Sequence, residues 1–118
     1  MAVSVIRLAQ RQALVQDMPA VEVLARAGWT LDDVDLFVYH QANERILHGV
    51  CERLGLDEGR VANYIGATGN TSAASVPIAL CEAADEGRLR DGELVALVAF
   101  GGGLSWGAAI VRWGRTIR

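Results

Sequence analysis

Apolar and polar positions recur along this chain with two different periods. Ile46, Val50 and Leu54 repeat every four residues with Leu47 and Cys51 beside them, while Arg45, His48 and Glu52 take the opposite side. That pattern is one apolar stripe on a helix, and Gly55 closes it. Just before it, Leu36, Phe37, Val38 and Tyr39 form a β-branched and aromatic run that reads as a strand. Thr30, with Asp33 three residues on, makes a short cap ahead of that strand. Further upstream, Val5, Ile6, Leu8 and Ala9 lie between Arg7, Gln10, Arg11 and Gln12, which predicts a helix over 4–16. A second helix over 20–27 has Asp17 to cap it, Pro19 in its first turn and Gly28 as its stop. Downstream, 61–65 reads as a short strand, 71–87 as a helix, and 94–100 and 106–113 as two strands joined across Gly101-Gly102-Gly103.

Strands alternating with helices and ending in a strand pair predict an α/β fold. Its sheet is expected to be mixed and mainly parallel, with an antiparallel C-terminal strand pair. Residues 1–28 read as a helical lead-in and 29–118 as the α/β domain proper. One helix adds information. SAASVPIALCEAA, residues 72–84, is apolar nearly all round, the pattern of one buried helix. A chain of 118 residues with few other helices cannot easily surround it, so something outside the chain is expected to cover one face.

Composition narrows the function classes. Hydrophobic residues make up 52% of the chain before its 13 glycines are counted, more than a lone small domain needs. The net charge is −3 and no basic block stands out, which argues against nucleic acid as a partner. Cys51 and Cys81 are too few for a disulfide framework and lack metal-ligand spacing, so no metal is expected and a reducing cytoplasm is the natural setting. The opening MAVSVIRLAQRQ has too short an apolar run for a signal peptide. The uncharged stretch 94–111 is long enough to suggest a membrane span, but its glycine centre and strand-like flanks favour a buried hairpin, so no membrane partner is expected.

The polar cluster in VYHQANERI, residues 38–46, is where chemistry first becomes plausible. His40 follows a strand, with the amides Gln41 and Asn43 right behind it. A capping arrangement would explain it, and so would a catalytic histidine at a strand end. GATGNTSAAS, residues 66–75, fails as a phosphate loop because the lysine that such loops need is absent. FGGGLSWG does not fit G-x-G-x-x-G either. A turn with a Thr or Ser cap would account for the first loop; alternatively, Asn70 points its amide into a site. His40, Asn70 and the segment Phe100-Gly101-Gly102-Gly103 each follow a strand, and in an open α/β sheet such positions meet on one rim. Imidazole, amide and exposed glycine N–H groups together are equipment for holding an enolate or a tetrahedral oxyanion.

HQANERI, GATGNTSAASVPIAL and AFGGGLSWGAAIVRW resemble the C-terminal half of β-ketoacyl-acyl-carrier-protein synthase III, in the thiolase-like superfamily. The resemblance runs from about Ala27 to Trp113. It implies a cytoplasmic, dimeric acyltransferase of fatty acid or polyketide synthesis that condenses an acyl-CoA primer with malonyl-acyl-carrier protein and needs no cofactor beyond those substrates. It also implies that His40 and Asn70 assist decarboxylation by stabilising the enolate oxygen. By the same resemblance Gly102 supplies an oxyanion N–H, Phe100 shields the departing carboxylate, and Arg45 helps dock the acyl carrier protein. In that family the acylated cysteine lies in the first half of a much longer chain. Cys51 on an apolar stripe and Cys81 inside an apolar helix are read as core residues, because an activated thiol wants a helix N-terminus or a cation nearby. His48, between Glu44 and Glu52 on a polar face, is read as solvated. Two functions follow: half of an acyltransferase, as either a split subunit that needs a Cys-bearing half as partner or a fragment of a longer enzyme, or a non-catalytic thiolase-like interaction module that pairs with a full-length synthase. Either predicts an oligomer.

Overall fold

The computed structural model describes residues 3–9, 18–102 and 105–114. Strand β1 (Val3–Ala9) is followed by helix α1 (Met18–Ala27), strand β2 (Leu36–Tyr39) and helix α2 (Glu44–Leu54). A short helix α3 (Ile65–Thr68), helix α4 (Ser75–Asp85) and strands β3 (Leu94–Gly101) and β4 (Ser105–Arg112) complete the order. The four strands form one sheet in the order β1-β4-β3-β2. The fold is α/β.

Sequence chemistry explains most element ends. Asn43 caps α2 by accepting the Ile46 N–H at 3.0 Å, and Gly55 ends it in the left-handed conformation at φ 64°. Thr30 and Asp33 form the expected reciprocal cap around a 3-10 turn, with the Thr30 N–H donating to Asp33 Oδ2 at 2.7 Å. Residues 94–111, read as a hairpin, are the antiparallel pair β3–β4. The capping role expected of Asp17 and the glycine at 103 fall outside the described residues.

Strand β2 is buried at all four positions. Phe37 and Tyr39 pack with Val23 and Leu24 of α1, Leu47 and Val50 of α2, and Ala96, Val98 and Ile110 of the sheet. Leu36 and Val38 face the other way, against Ala79 and Ala83 of α4. Each large apolar side chain so enclosed contributes about 1.5–3 kcal/mol relative to exposure. This double-sided packing fixes the carboxyl end of β2, where His40 sits.

Several expectations are corrected. The helix predicted over 4–16 is strand β1 through Ala9, with residues 10–16 outside the described ones, so the lead-in is not purely helical. Val3, Val5 and Ile6 are β-branched, and the outer edge of β4 offers backbone partners from Val3↔Val111 to Ala9↔Ser105. β1 pairs with β4, and Ala20, Val23 and Leu24 of α1 join the core cluster. Consequently the sheet is mixed but not mainly parallel: β2–β3 is parallel, whereas β3–β4 and β1–β4 are antiparallel. The strand expected over 61–65 shrinks to a single bridge between Val61 and Phe37. It ends there because the Tyr64 N–H donates to the Gln41 side chain at 2.8 Å instead of to a strand.

Helix α4 is also less enclosed than its sequence implies. It begins after a 3-10 turn at Ser72–Ala74 and buries one stripe, Ser75, Ala79 and Ala83. Pro77 and Cys81 are exposed, so Cys81 is not the interior residue expected. The physical reason is coverage: α4 packs on β2 and part of β3 and leaves a groove beside it. This groove, of about 580 Å³, is lined by Leu80, Leu97, Val111 and Trp113 among others.

Candidate functional site

The parallel ladder carries the chain into the site. The His40 N–H donates to Val98 O at 2.7 Å, extending the β2–β3 pairing one residue past Tyr39. Immediately after it, Gln41 turns its side chain inward and is 1% exposed. Its Nε2 donates to Tyr39 O at 2.8 Å and Ala62 O at 3.1 Å, while its Oε1 accepts from the Tyr64 N–H. Both polar atoms that Gln41 brings inside are therefore paired, as burial of an amide requires.

The imidazole of His40 is held from two sides. Its Nδ1 hydrogen-bonds with Ser75 Oγ on the first residue of α4. The ring meets Phe100 edge-on, with centroids 5.5 Å apart and planes at 69°. Burial lowers the His40 pKa from the ordinary 6.5, so the ring is neutral at neutral pH.

Asn70 follows a turn at Gly69, whose φ of 65° favours glycine. Asn70 Oδ1 accepts the Ser72 N–H at 2.9 Å, and Nδ2 donates to Ala42 O at 3.4 Å. The amide is thereby tied to the residues just behind His40, and Ser72 adopts φ 56° to close the loop. His40, Asn70, Ser75, Phe100 and Gly102 line one cavity of about 440 Å³. No acidic or arginine side chain lies among its described lining residues. A neutral imidazole and a fixed amide in one uncharged cavity form a donor set suited to an oxygen that gains negative charge.

Of the residues singled out from sequence, the cavity brings together His40, Asn70, Phe100 and Gly102. Arg45 stands apart, exposed on the first turn of α2. Cys51 is buried on α2, where burial and then the Glu58 carboxylate raise its pKa; it does not line the cavity. Cys81 does not line it either. His48 is exposed as expected, but it is paired, with Nδ1 2.6 Å from Glu58 Oε1. Sequence reading noted Gln41 only as part of a polar cluster and gave Ser75 no role of its own. Ser75 heads the buried stripe with Ala79 and Ala83 four and eight residues on, and a hydroxyl at the head of an apolar stripe was the available signal.

Known proteins resemble this chain in sequence and in fold. The family model described as 3-oxoacyl-[acyl-carrier-protein (ACP)] synthase III C terminal matches residues 24–113. The beta-ketoacyl-[acyl-carrier-protein] synthase III of Symbiobacterium thermophilum is 52% identical over 101 residues, covering 86% of this chain and 31% of the relative. That of Oceanobacillus iheyensis is 50% identical over 103 residues, covering 86% and 33%. Among solved structures, the Thermus thermophilus synthase III superposes with a TM-score of 0.82 at 51% identity, over 85% of this chain and 31% of that one. The Pseudomonas aeruginosa enzyme gives 0.82 at 42% identity, over 87% and 32%. The chain thus spans about a third of the length of these relatives. With the match covering most of its residues, the chain belongs to the 3-oxoacyl-[acyl-carrier-protein] synthase III C-terminal family.

Proposed function

We propose that this chain serves as the C-terminal part of an acyltransferase that condenses an acyl-CoA primer with malonyl-acyl-carrier protein. The observation that carries the reading is the cavity shared by His40, Asn70, Phe100 and Gly102. When the malonyl carboxylate leaves as carbon dioxide, its bonding pair moves onto the α-carbon and is delocalised to the thioester oxygen. His40 and Asn70 bind that enolate oxygen, and Phe100 shields the departing carboxylate from water. The α-carbon then attacks the carbonyl of an acyl group held as a thioester on a cysteine of a second polypeptide segment. Gly102 donates its N–H to the resulting oxyanion, and collapse expels the cysteine thiolate. No cofactor takes part.

The acyl-accepting thiol comes from elsewhere, since neither Cys51 nor Cys81 lines the cavity. The partners are therefore a Cys-bearing N-terminal half or a full-length synthase, and an acyl carrier protein whose acidic surface Arg45 meets. An oligomer acting in the cytoplasm fits this reading. A second reading, a non-catalytic thiolase-like scaffold that pairs with a full-length synthase, is favoured by the same lack of a thiol at the cavity.

The test is reconstitution with a Cys-bearing half, acyl-CoA and malonyl-carrier protein. The chain alone is expected to condense nothing. In the complex, His40→Ala or Asn70→Ala is expected to slow decarboxylation by about 10²–10³-fold, the usual cost of one oxyanion donor. Acylation of the partner's thiol should suffer less. A stable acyl thioester on Cys51 or Cys81 would overturn the division of roles, and unchanged decarboxylation in both variants would favour the scaffold.

A further inference from the structure

We propose that Ser75 is the positioning residue that fixes His40 in one tautomer, with its hydrogen on Nε2. The argument starts from the hydrogen-bonding capacity of one hydroxyl. Ser75 is 2% exposed, and its Oγ has two partners: the Gln41 backbone N–H at 3.2 Å and His40 Nδ1. An amide N–H can only donate, so the Gln41 contact occupies a lone pair of Oγ and leaves the hydroxyl hydrogen unassigned.

Two arrangements remain for the contact with His40. If Nδ1 carries the hydrogen and donates to Oγ, the Ser75 hydroxyl hydrogen is buried with no acceptor among the described residues. If Ser75 donates to an unprotonated Nδ1, the buried hydroxyl, Nδ1 and the Gln41 N–H are all paired. Buried donors in folded proteins are almost always paired, so the second arrangement holds. Nδ1 is then the acceptor, and the hydrogen of the neutral ring resides on Nε2, for which no protein partner is found among the described residues.

Packing reinforces this choice. Phe100 sits edge-on against the ring and limits its rotation. The described residues lining the cavity include no carboxylate or guanidinium that could set the ring's ionisation. Gln41 locks the Ser75 partner in turn, because its own side chain anchors it to Tyr39, Ala62 and Tyr64. The register of α4 thus reaches the imidazole through a single oxygen.

The catalytic meaning of an Nε2 hydrogen rests on the reading of His40 as an oxyanion donor; the tautomer itself does not. The chain has two histidines, so histidine-selective ¹⁵N labelling yields two rings, with His48 as an internal control. Long-range ¹⁵N–¹H correlation spectra of the 118-residue chain are expected to show His40 with an unprotonated Nδ1 and a protonated Nε2. Ser75→Ala should relax it toward the mixed populations of a free imidazole. The same variant should raise the His40 titration midpoint, since the lost bond favoured the neutral ring. Ser75→Thr, which keeps a hydroxyl, should retain the single tautomer.

A wild-type spectrum with the hydrogen on Nδ1 overturns the proposal, and that measurement stands even where the alanine variant fails to fold. A Ser75→Ala chain with an unchanged tautomer and midpoint overturns it as well. Correct tautomers together with unimpaired decarboxylation by His40→Ala would leave Ser75 its role and remove the oxyanion reading instead.

Discussion

Replacing Gln41 with leucine should be among the costliest single changes in this chain, although it substitutes an apolar side chain of similar size at a buried position. The Gln41 side chain makes three hydrogen bonds: to Tyr39 O at 2.8 Å, to Ala62 O at 3.1 Å, and from the Tyr64 N–H at 2.8 Å. A typical net contribution is about 1 kcal/mol per bond, and the partners left behind are expensive when buried. Leucine recovers part of that through its own burial, so the expected net loss is about 2–4 kcal/mol. For a domain of this size that lowers the melting temperature by roughly 8–16 °C. Urea unfolding followed by circular dichroism, at one fixed protein concentration, measures it. Gln41→Glu supplies the sign. A buried carboxyl has its pKa raised, so the folded state holds its proton more tightly and the variant loses stability as pH rises from below 4 towards 8. Relative to wild type, Gln41→Glu should therefore be worse at pH 8 than at pH 5. A loss under about 1 kcal/mol for Gln41→Leu, or a pH-independent deficit for Gln41→Glu, would refute the view that this amide is enclosed and paired.

Other perturbations test different parts of the fold. Asn43→Ala removes the cap on α2 and should cost about 0.5–2 kcal/mol in the same urea assay, whereas Asn43→Asp should cost little. Gly55→Ala forces a Cβ into φ 64° and should cost about 1 kcal/mol. His40 has its pKa lowered by burial, so below about pH 6.5 the unfolded chain takes up a proton that the folded one refuses. Stability should then fall as pH drops from 7.5 to 5.5, and a His40→Phe chain should lose that component of the slope. Light scattering over a concentration series should reveal species larger than the 12.6 kDa chain. Val111→Asp, in the groove beside α4, should shift them toward monomer; a monodisperse wild-type monomer at high concentration would contradict the half-enzyme reading.

How much of this was legible in the sequence depended on whether the deciding partner was near or far along the chain. Local signals read well: β2, the stripe of α2, its stop at Gly55, and the reciprocal cap of Thr30 and Asp33 are all as the residues suggest. The first segment did not read correctly, because Val3–Ala9 balances helical spacing against β-branched content, and the edge of β4, far along the chain, decides the outcome. The segment after Arg60 failed for a related reason: a side chain from another element, Gln41, takes the Tyr64 N–H that a continuing strand would need. Convergence of His40 and Phe100 was legible because strand ends in an α/β sheet point to one rim, whereas Asn70 reaches the cavity from the turn after α3 and not from the strand expected before it. The contact of Ser75 with His40 was not, since it depends on the register with which α4 docks across the sheet.

The pairing of β1 with β4 has a kinetic consequence. Val3 meets Val111 and Ala9 meets Ser105, so the first strand closes against the last across roughly a hundred residues of chain. Contacts between such distant positions carry the largest loop-closure cost and form after the local ones. During folding, β2, β3, β4 and their helices can assemble while the outer edge of β4 still presents its backbone N–H and C=O groups unpaired. Strand edges of that kind recruit strands from other molecules. β1 thus acts as an intramolecular guard, arriving late and competing with neighbouring chains for the same hydrogen bonds, so dilution during refolding favours the native pairing over the intermolecular one.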